Sequence, residues 1–204
     1  YPDWQAVLGY CVYSANPVGR LVLYLCGYRD EHRPRLSDAT CTALQLANFW
    51  QDVSRDLDKG RIYIPLDAAA AHGLTENDIL ERRFDERYVR LMQDLIARTR
   101  LLFGDGLPLA KIVDRRLSVD LEMFSRGGLA VLKAIEDIGY DTLHKRPAIS
   151  KVKQARLLGR TLVKHLIPSN SHPASAATAP SVVEAQNTAP QLPQFGISIS
   201  DSYH

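Results

Sequence analysis

The sequence predicts an all-α protein, on three observations. Apolar residues recur at helical spacing over most of residues 3 to 166, in segments separated by short stretches rich in Gly, Pro or polar residues. No stretch shows sustained alternation of apolar and polar residues bounded by turn signals, so strands have little support. With 204 residues, 46% of them hydrophobic, the chain can bury one sizeable core.

The first half of the chain gives clear helix boundaries. Residues 3 to 29 are predicted to form a helix disturbed at Pro17, because proline lacks an N–H and its ring clashes with the preceding turn. The stretch RPRLSD should then break the pattern before a second helix over residues 38 to 58.

Capping signals define the elements that follow. A short helix from about Pro65 to Ala71 should end at Gly73, and Thr75 with Asp78 forms a capping pair that opens another short helix. Further helices are predicted at residues 85 to 103, 108 to 125, 128 to 139 and 150 to 166, with GDG, RGG and YDTLHKRP between them.

The C-terminal segment differs in composition from the rest. Five of the 11 prolines lie from Pro168 onward, among Ser, Ala, Asn and Gln. Such a segment buries too little apolar surface to offset its ordering entropy. We therefore predict one helical domain over residues 1 to 166 and a disordered tail over residues 167 to 204.

Charge and cysteine content exclude several classes of protein. The net charge is only +2 and basic residues are mixed with acidic ones, which gives no nucleic-acid footprint. The three cysteines form no CxxC pair, so a disulfide framework or zinc site is not expected and a cytoplasmic location fits better. No apolar run approaches the roughly 20 residues that a spanning helix needs.

The stretch QLANFWQDVSRDLDKGRIYIP contains the candidate functional residues. On a helical wheel Gln45, Asn48, Asp52 and Asp56 fall within a stripe of about 80°, separate from the apolar stripe. An ordinary amphipathic helix with a solvated face is one reading. However, solvated faces usually pair Lys with Glu at this spacing, whereas here two carboxylates lie one turn apart.

Paired carboxylates one turn apart need a cation between them. Their Cβ atoms would be about 5–6 Å apart, close enough for each to give one oxygen to a shared hard metal ion. Magnesium is typically held by one or two carboxylates together with phosphate oxygens of a substrate. Asp52 and Asp56 are therefore predicted metal ligands, and a phosphorylated or diphosphate substrate is predicted.

Basic residues follow the carboxylates directly. Gly60 releases the backbone at the helix end, so that Lys59 and Arg61 can turn back toward it, and Arg offers a planar fork suited to phosphate. Compensation of the helix dipole is the alternative role for both residues. Asp58 is expected to be solvated.

Three segments resemble those of the squalene and phytoene synthase family. The stretch just described resembles its second aspartate-rich motif, YCVYSANPVGRL resembles the tyrosine-bearing helix before it, and AIEDIGYDTLHKRPAISKVKQARLL resembles its closing segment. The residues of these three segments are most similar to those of the bacterial branch that acts on presqualene diphosphate in hopanoid synthesis. The resemblance covers about residues 1 to 166.

The resemblance implies an isoprenoid synthase fold, in which helices surround an apolar cavity, and it implies roles for individual residues. Asp52 and Asp56 would hold Mg²⁺. The substrate-binding residues would be Gln45, Asn48, Lys59, Arg61 and Tyr63, and the catalytic residues Tyr10, Tyr13 and Tyr140. For each tyrosine, core packing with a hydrogen-bonded tip is the alternative.

The family's first aspartate-rich segment lies upstream of these motifs, and the 204 residues do not contain it. We therefore expect an N-terminally truncated chain that carries half of the metal site in an incomplete helical bundle, which leaves open whether it is active by itself.

The resemblance implies Mg²⁺-dependent ionisation of presqualene diphosphate to hydroxysqualene or squalene. Head-to-head condensation of two prenyl diphosphates and a non-catalytic helical fragment are the alternatives. No glycine-rich strand-turn-helix signal is present, so no NADPH is expected. Because substrate and product are apolar, peripheral contact with the cytoplasmic membrane is a further hypothesis.

Overall fold

The computed structural model describes residues 1 to 148, and all regular structure in this part of the chain is helical, as predicted. The helices are α1 (Trp4–Ser14), α2 (Asn16–Leu25), α3 (His32–Gln51), α4 (Val53–Asp58), α5 (Leu66–Ala71), α6 (Glu76–Leu80), α7 (Glu86–Gly106) and α8 (Arg115–Asp137), with a 3-10 helix (Leu107–Lys111) between the last two. The predicted helix over residues 150 to 166 and the predicted tail lie outside the described residues.

The predicted disturbance near Pro17 separates α1 from α2. The interruption falls at Ala15, and Pro17 occupies the first turn of α2, where its missing N–H leaves no bond unmade. The side chain of Asn16 is buried at this break and accepts a hydrogen bond of 3.0 Å from the hydroxyl of Thr42. The break is therefore fixed against α3.

Helix α3 begins earlier than predicted. It starts at His32, so RPRLSD lies inside the helix instead of breaking it. Pro34 falls in the first turn, where the backbone N–H groups have no partner within the helix. The predicted second helix is also interrupted, because α3 ends at Gln51 and α4 begins at Val53.

The capping signals of the short helices are confirmed. Gly73 follows α5 with a φ of +76°, the left-handed conformation that glycine adopts easily. Thr75 caps α6 by accepting from the N–H of Asp78, and the Asp78 carboxylate accepts from the N–H of Thr75 at 2.9 Å. This reciprocal pair is the capping box that the sequence predicts.

The prediction of separate helices on either side of RGG is wrong. Helix α8 runs without interruption through Gly127 and Gly128, and the start of the helix predicted from residue 108 is a 3-10 helix that ends at Lys111. A Cβ built on Gly128 would lie 2.3 Å from the ring of Phe103, so this glycine allows α8 to approach α7 closely. Packing, not a chain break, explains the glycine.

Helix α3 lies at the centre and packs against α2, α7 and α8. Its Trp50 is fully buried, and the indole N–H donates to the hydroxyl of Thr99 on α7 at 2.9 Å. The core also takes in apolar side chains of α1, α5 and α6. Within residues 1 to 148, no helix is both long enough and apolar enough to cross a membrane.

Candidate active site

The two predicted metal ligands lie on either side of a helix junction. Asp52 is the residue between α3 and α4, and the continuous helix predicted here is therefore wrong. Its N–H nevertheless donates to the carbonyl of Asn48 at 2.9 Å, and the N–H of Asp56 donates to the carbonyl of Asp52 at 2.9 Å. The helical hydrogen bonding continues through the junction, so the two carboxylates stay one turn apart.

Asp52 has a cationic partner from a distant part of the chain. The Nε of Arg146 donates to Oδ1 of Asp52, and its Nη2 donates to Oε1 of Gln51 at 3.4 Å. Gln51 is buried, and its amide donates to the carbonyl of Pro147 at 2.7 Å. The loop after α8 is thus tied to the junction between α3 and α4.

Asp56 is the less compensated of the two carboxylates. Burial raises the pKa of its carboxyl above the usual range, and the charge of Asp52 raises it further, although Lys59 and Arg61 act in the opposite direction. A raised pKa means that the ionised form is disfavoured where it lies. A cation placed beside Asp56 would remove this penalty.

The end of α4 turns the two basic residues back toward Asp56. The N–H of Arg61 donates to the carbonyl of Asp56 at 2.8 Å, and the N–H of Gly60 donates to the carbonyl of Leu57 at 3.0 Å. Gly60 has a φ of +68°, as a glycine-terminated helix end requires. The predicted reversal at Gly60 is confirmed, and both Lys59 and Arg61 lie exposed beside it.

Aromatic rings lie near Asp56 as well. Tyr63 stacks on Phe49, and both rings lie with Asp56 and Arg61 around a small crevice. Tyr10 packs against this pair, with its ring centroid 5.7 Å from that of Phe49 and 6.0 Å from that of Tyr63. The structure therefore brings Tyr10, Tyr63 and the basic residues to the same end of α3.

An apolar groove reaches the same end of α3. Its inner part, of about 240 Å³, lies between α2, α3, α8 and the 3-10 helix, and its outer part, of about 270 Å³, lies between α3 and α8. The two parts share Leu44 and Phe124. Asn48 and Gln51 line the outer part. The amide of Asn48, one turn before Asp52, is exposed. Gln45, one turn before Asn48 on the predicted polar stripe, is half-buried.

Two of the predicted catalytic tyrosines lie apart from this region. Tyr13 is 87% exposed, and Tyr140 follows Gly139 with a φ of +67° and packs against the main core. Neither is among the residues that line the groove or the crevice. Their catalytic roles stay predictions.

The sequence reasoning missed the long-range partners of the motif. Arg146 carries no local signal. Asp58 is 67% exposed, in line with the expectation that it is solvated, but it also forms an ion pair with Arg82. Arg82 also donates to the carbonyls of Ser54 and Leu143, both at 3.3 Å. No local pattern indicates these pairs; only the closing segment, which contains Arg146, pointed to this part of the chain.

Among the described residues, Asp52 and Asp56 are the carboxylates that face this site. Within residues 1 to 148, no group of three or more His, Cys, Asp or Glu side chains could hold a metal ion. A divalent cation at Asp52 and Asp56 would therefore take its remaining ligands from amides, from water or from a substrate, which is how proteins commonly bind magnesium.

A helical bundle with an apolar groove beside α3, and with paired carboxylates and basic residues at the end of the same helix, has the features of the isoprenoid synthases. The crystal structure of squalene synthase HpnC from Alicyclobacillus acidocaldarius is similar, with a TM-score of 0.68 and 46% identity over 69% of this chain and 53% of that one. The predicted fold is confirmed. The chain belongs to the squalene/phytoene synthase family, whose family model matches residues 1–153.

Curated relatives in this family include proteins of two activities. The hydroxysqualene synthase of Rhodopseudomonas palustris is 31% identical over 183 residues, which cover 87% of this chain and 62% of the relative. The phytoene synthase of Thermus thermophilus is 31% identical over 163 residues, covering 79% of this chain and 55% of the relative. The chain thus spans about three-fifths of the length of these relatives.

Proposed function

We propose that this chain takes part in the magnesium-dependent loss of diphosphate from presqualene diphosphate, followed by capture of a water molecule and release of a proton to give hydroxysqualene. Formation of squalene would require a hydride donor in addition. One observation carries the proposal: Asp56, whose charge is disfavoured by burial and by Asp52, lies beside Lys59 and Arg61. An apolar groove between α3 and α8 is lined by Asn48 and Gln51, the residues one turn and one position before Asp52. Paired acids, adjacent bases and an apolar groove are what a prenyl diphosphate requires.

The residues present fit a magnesium ion that is shared with a diphosphate. Asp52 and Asp56 would hold it, with the amides of Asn48 and Gln45 within the same stripe. When bound, magnesium supplies Lewis-acid stabilisation of the departing diphosphate oxygens. Asp52 is already paired with Arg146, so a cation has to share or replace that partner.

The remaining site residues would act on the two products of ionisation. Lys59 and Arg61 would stabilise the departing diphosphate through charge-assisted hydrogen bonds. The groove would bind the apolar chains and shield the carbocation from bulk water, so that a single water molecule ends the reaction. The ring of Tyr10 lies near that end of α3, and a well-placed ring contributes roughly 0.5–2 kcal/mol of cation stabilisation. The ring of Tyr63 is stacked on Phe49 and on Tyr1, so its hydroxyl, not its ring face, would serve the diphosphate.

A second reaction has support among the relatives. Head-to-head condensation of two prenyl diphosphates is the type of reaction implied by the phytoene synthase of Thermus thermophilus, which is as similar in identity as the hydroxysqualene synthase. The 46% identity to a squalene synthase favours the first reaction. Incubation with presqualene diphosphate, or with farnesyl or geranylgeranyl diphosphate, followed by product analysis separates the two. The first reaction as proposed ends with capture of water, without a hydride step.

Thermal melts with Mg²⁺ and inorganic diphosphate test the site without turnover. The parent chain should gain about 5 °C near 100 times the dissociation constant, whereas Asp52→Asn and Asp56→Asn should lose most of this shift. Asp105→Asn, which changes an exposed acid in the last turn of α7, is the control and should keep it. Equal shifts in all four chains would instead support a non-catalytic helical fragment.

Contact with the cytoplasmic membrane stays a prediction, and vesicles test it. Exposed apolar side chains on α1 and α2, including Tyr13, Leu21 and Leu25, are the surface from which such contact is expected. The chain should sediment with anionic vesicles in low salt. Recovery in the supernatant at every salt concentration would contradict this.

A further inference from the structure

Arg146 occupies one of the two carboxylates proposed to hold the metal ion. Its guanidinium contacts Oδ1 of Asp52, a residue 94 positions earlier in the chain. The two side chains are 33% and 18% exposed respectively, so the pair is shielded over most of its surface. A divalent cation that approaches Asp52 therefore meets a positive charge that is already there.

The backbone holds Arg146 in this position. The carbonyl of Pro147 accepts a hydrogen bond of 2.7 Å from the buried amide of Gln51, and the same amide group accepts from Nη2 of Arg146 at 3.4 Å. Two adjacent residues of the loop thus bind two adjacent residues at the junction of α3 and α4. This reciprocal arrangement distinguishes Arg146 from a surface arginine that pairs with whichever acid is near.

A guanidinium beside a site for a metal ion and a diphosphate can serve both states of the site. In the absence of a divalent cation it neutralises Asp52. When a cation takes Asp52, the guanidinium is released next to the diphosphate, whose oxygens match its planar fork. The two interactions exclude each other, because one Nε–H cannot donate to both acceptors at full strength.

We propose that Arg146 is a resident counter-ion of this site, exchanged for the divalent cation and then used to bind diphosphate. This inference rests on the proposed function. Its consequence is coupling: the cation alone competes with Arg146 for Asp52, whereas the cation and diphosphate together give Arg146 a new partner. Each ligand should therefore raise the affinity for the other.

Two titrations of the 204-residue chain test the exchange. The first follows binding of Mn²⁺ alone by electron paramagnetic resonance, and the second follows binding of inorganic diphosphate at saturating Mg²⁺ by calorimetry. Arg146→Gln should bind Mn²⁺ about threefold to fivefold more tightly, because a partly exposed ion pair no longer competes. It should bind diphosphate about tenfold or more weakly, because a charge-assisted hydrogen bond is lost.

A matched control is available on α8. Arg126 pairs with Glu122 at 3.2 Å, and their side chains are 33% and 15% exposed, close to the values for Arg146 and Asp52. Arg126→Gln removes the same charge from a similar environment and should leave both affinities unchanged. Arg146→Lys keeps the charge without the planar fork, so it should retain the parent affinity for Mn²⁺ and lose affinity for diphosphate.

The outcomes separate this inference from the proposed function. If the parent chain binds Mn²⁺ and diphosphate but Arg146→Gln changes neither affinity, or lowers both, Arg146 only positions Asp52 and the exchange is refuted. If the parent chain binds neither Mn²⁺ alone nor diphosphate at saturating Mg²⁺, the metal site and the exchange fail together. Circular dichroism establishes that each variant is folded, and Arg146→Lys decides the question if Arg146→Gln is not.

Discussion

The ring of Tyr63 stacks on the ring of Phe49, with centroids 3.9 Å apart and planes inclined by 7°. Phe49 belongs to α3, whereas Tyr63 lies in the loop beyond α4, so the stack fixes this loop against the helix that leads into Asp52. Arg61, two residues before Tyr63, is thereby held beside Asp56. The stack of Tyr63 on Phe49 therefore stabilises the loop and also places the charged group of Arg61.

Replacing Phe49 tests whether the stack holds the loop. Phe49→Leu keeps an apolar side chain but removes the ring contact, and it should lower the free energy of unfolding by about 1–2 kcal/mol. It should also weaken diphosphate binding, because Arg61 is less constrained. Urea denaturation measures the first effect and calorimetry the second. Tyr13→Leu, at a highly exposed ring, should change stability by about 0.5 kcal/mol at most.

The two glycines inside α8 should respond in opposite directions to alanine. A Cβ on Gly128 would lie 2.3 Å from Cζ of Phe103 and 3.0 Å from Cδ2 of Leu44, whereas a Cβ on Gly127 meets nothing within 4 Å. Gly128→Ala should cost about 1–3 kcal/mol, and Gly127→Ala should gain about 0.5–1 kcal/mol from helix propensity. Urea denaturation of both variants measures this. Equal effects would show that α8 does not pack as described.

The hydrogen bond between Trp50 and Thr99 should contribute to stability through its burial. Both side chains are fully buried, and the hydroxyl of Thr99 in turn donates to the carbonyl of Leu95 at 2.8 Å. Thr99→Val keeps the shape but leaves the indole N–H unpaired, so it should destabilise by about 1–3 kcal/mol. Thr99→Ser keeps the hydroxyl and should cost less, about 1 kcal/mol for the lost methyl group. If both variants cost the same, the hydrogen bond contributes nothing.

The sequence predicts those parts of the fold that depend on near neighbours. The capping box of Thr75 and Asp78 and the reversals at Gly60 and Gly73 all follow from residues a few positions apart, and all are confirmed. The prediction that RGG breaks the helix is wrong because Gly128 is needed for close packing against Phe103, which lies on another helix. Local propensity cannot reveal a close approach between helices.

The same limit applies to the candidate site. Spacing alone places Asp52 and Asp56 one turn apart, and the basic residues after them, near one another. The partner of Asp52 is Arg146, from which five α-helices and a 3-10 helix separate it along the chain. Long-range ion pairs depend on how helices pack, which no stripe on a helical wheel encodes.

Asp78 should make stability depend on pH in the acid range. Hydrogen bonds from the hydroxyl and N–H of Thr75, with the charges of Arg87 and Arg83, hold the pKa of the Asp78 carboxyl below its usual value. A pKa lowered by folding stabilises the folded state above the unfolded pKa of about 3.9 and loses this effect as pH falls through the folded pKa.

The melting temperatures of the parent chain and Asp78→Asn test this dependence. Their difference should be constant between about pH 7 and pH 5 and should shrink below about pH 4. Asp105→Asn, at an exposed acid, should show no difference at any of these pH values. A difference for Asp78→Asn that persists undiminished at the lowest pH would contradict the lowered pKa.

The three cysteines report on the groove through their different environments. Cys26 is exposed. Cys41 lies in the inner groove, where burial raises the pKa of its thiol. Cys11 is fully buried, and burial raises the pKa of its thiol to about 11. Because the thiolate is the reactive form, maleimide should label Cys26 first, Cys41 more slowly and Cys11 only after unfolding. Mass spectrometry of peptides from timed reactions measures this order.

A prenyl diphosphate analogue tests whether the groove binds the apolar chain of a substrate. If its chain occupies the groove, farnesyl thiodiphosphate with Mg²⁺ should slow labelling of Cys41 about tenfold or more and leave Cys26 unchanged, because only Cys41 lies among the lining residues. Asp56→Asn should weaken the protection, since the diphosphate end then lacks its metal ligand. Protection that is the same without Mg²⁺ and in Asp56→Asn would show that the chain binds here independently of the carboxylates.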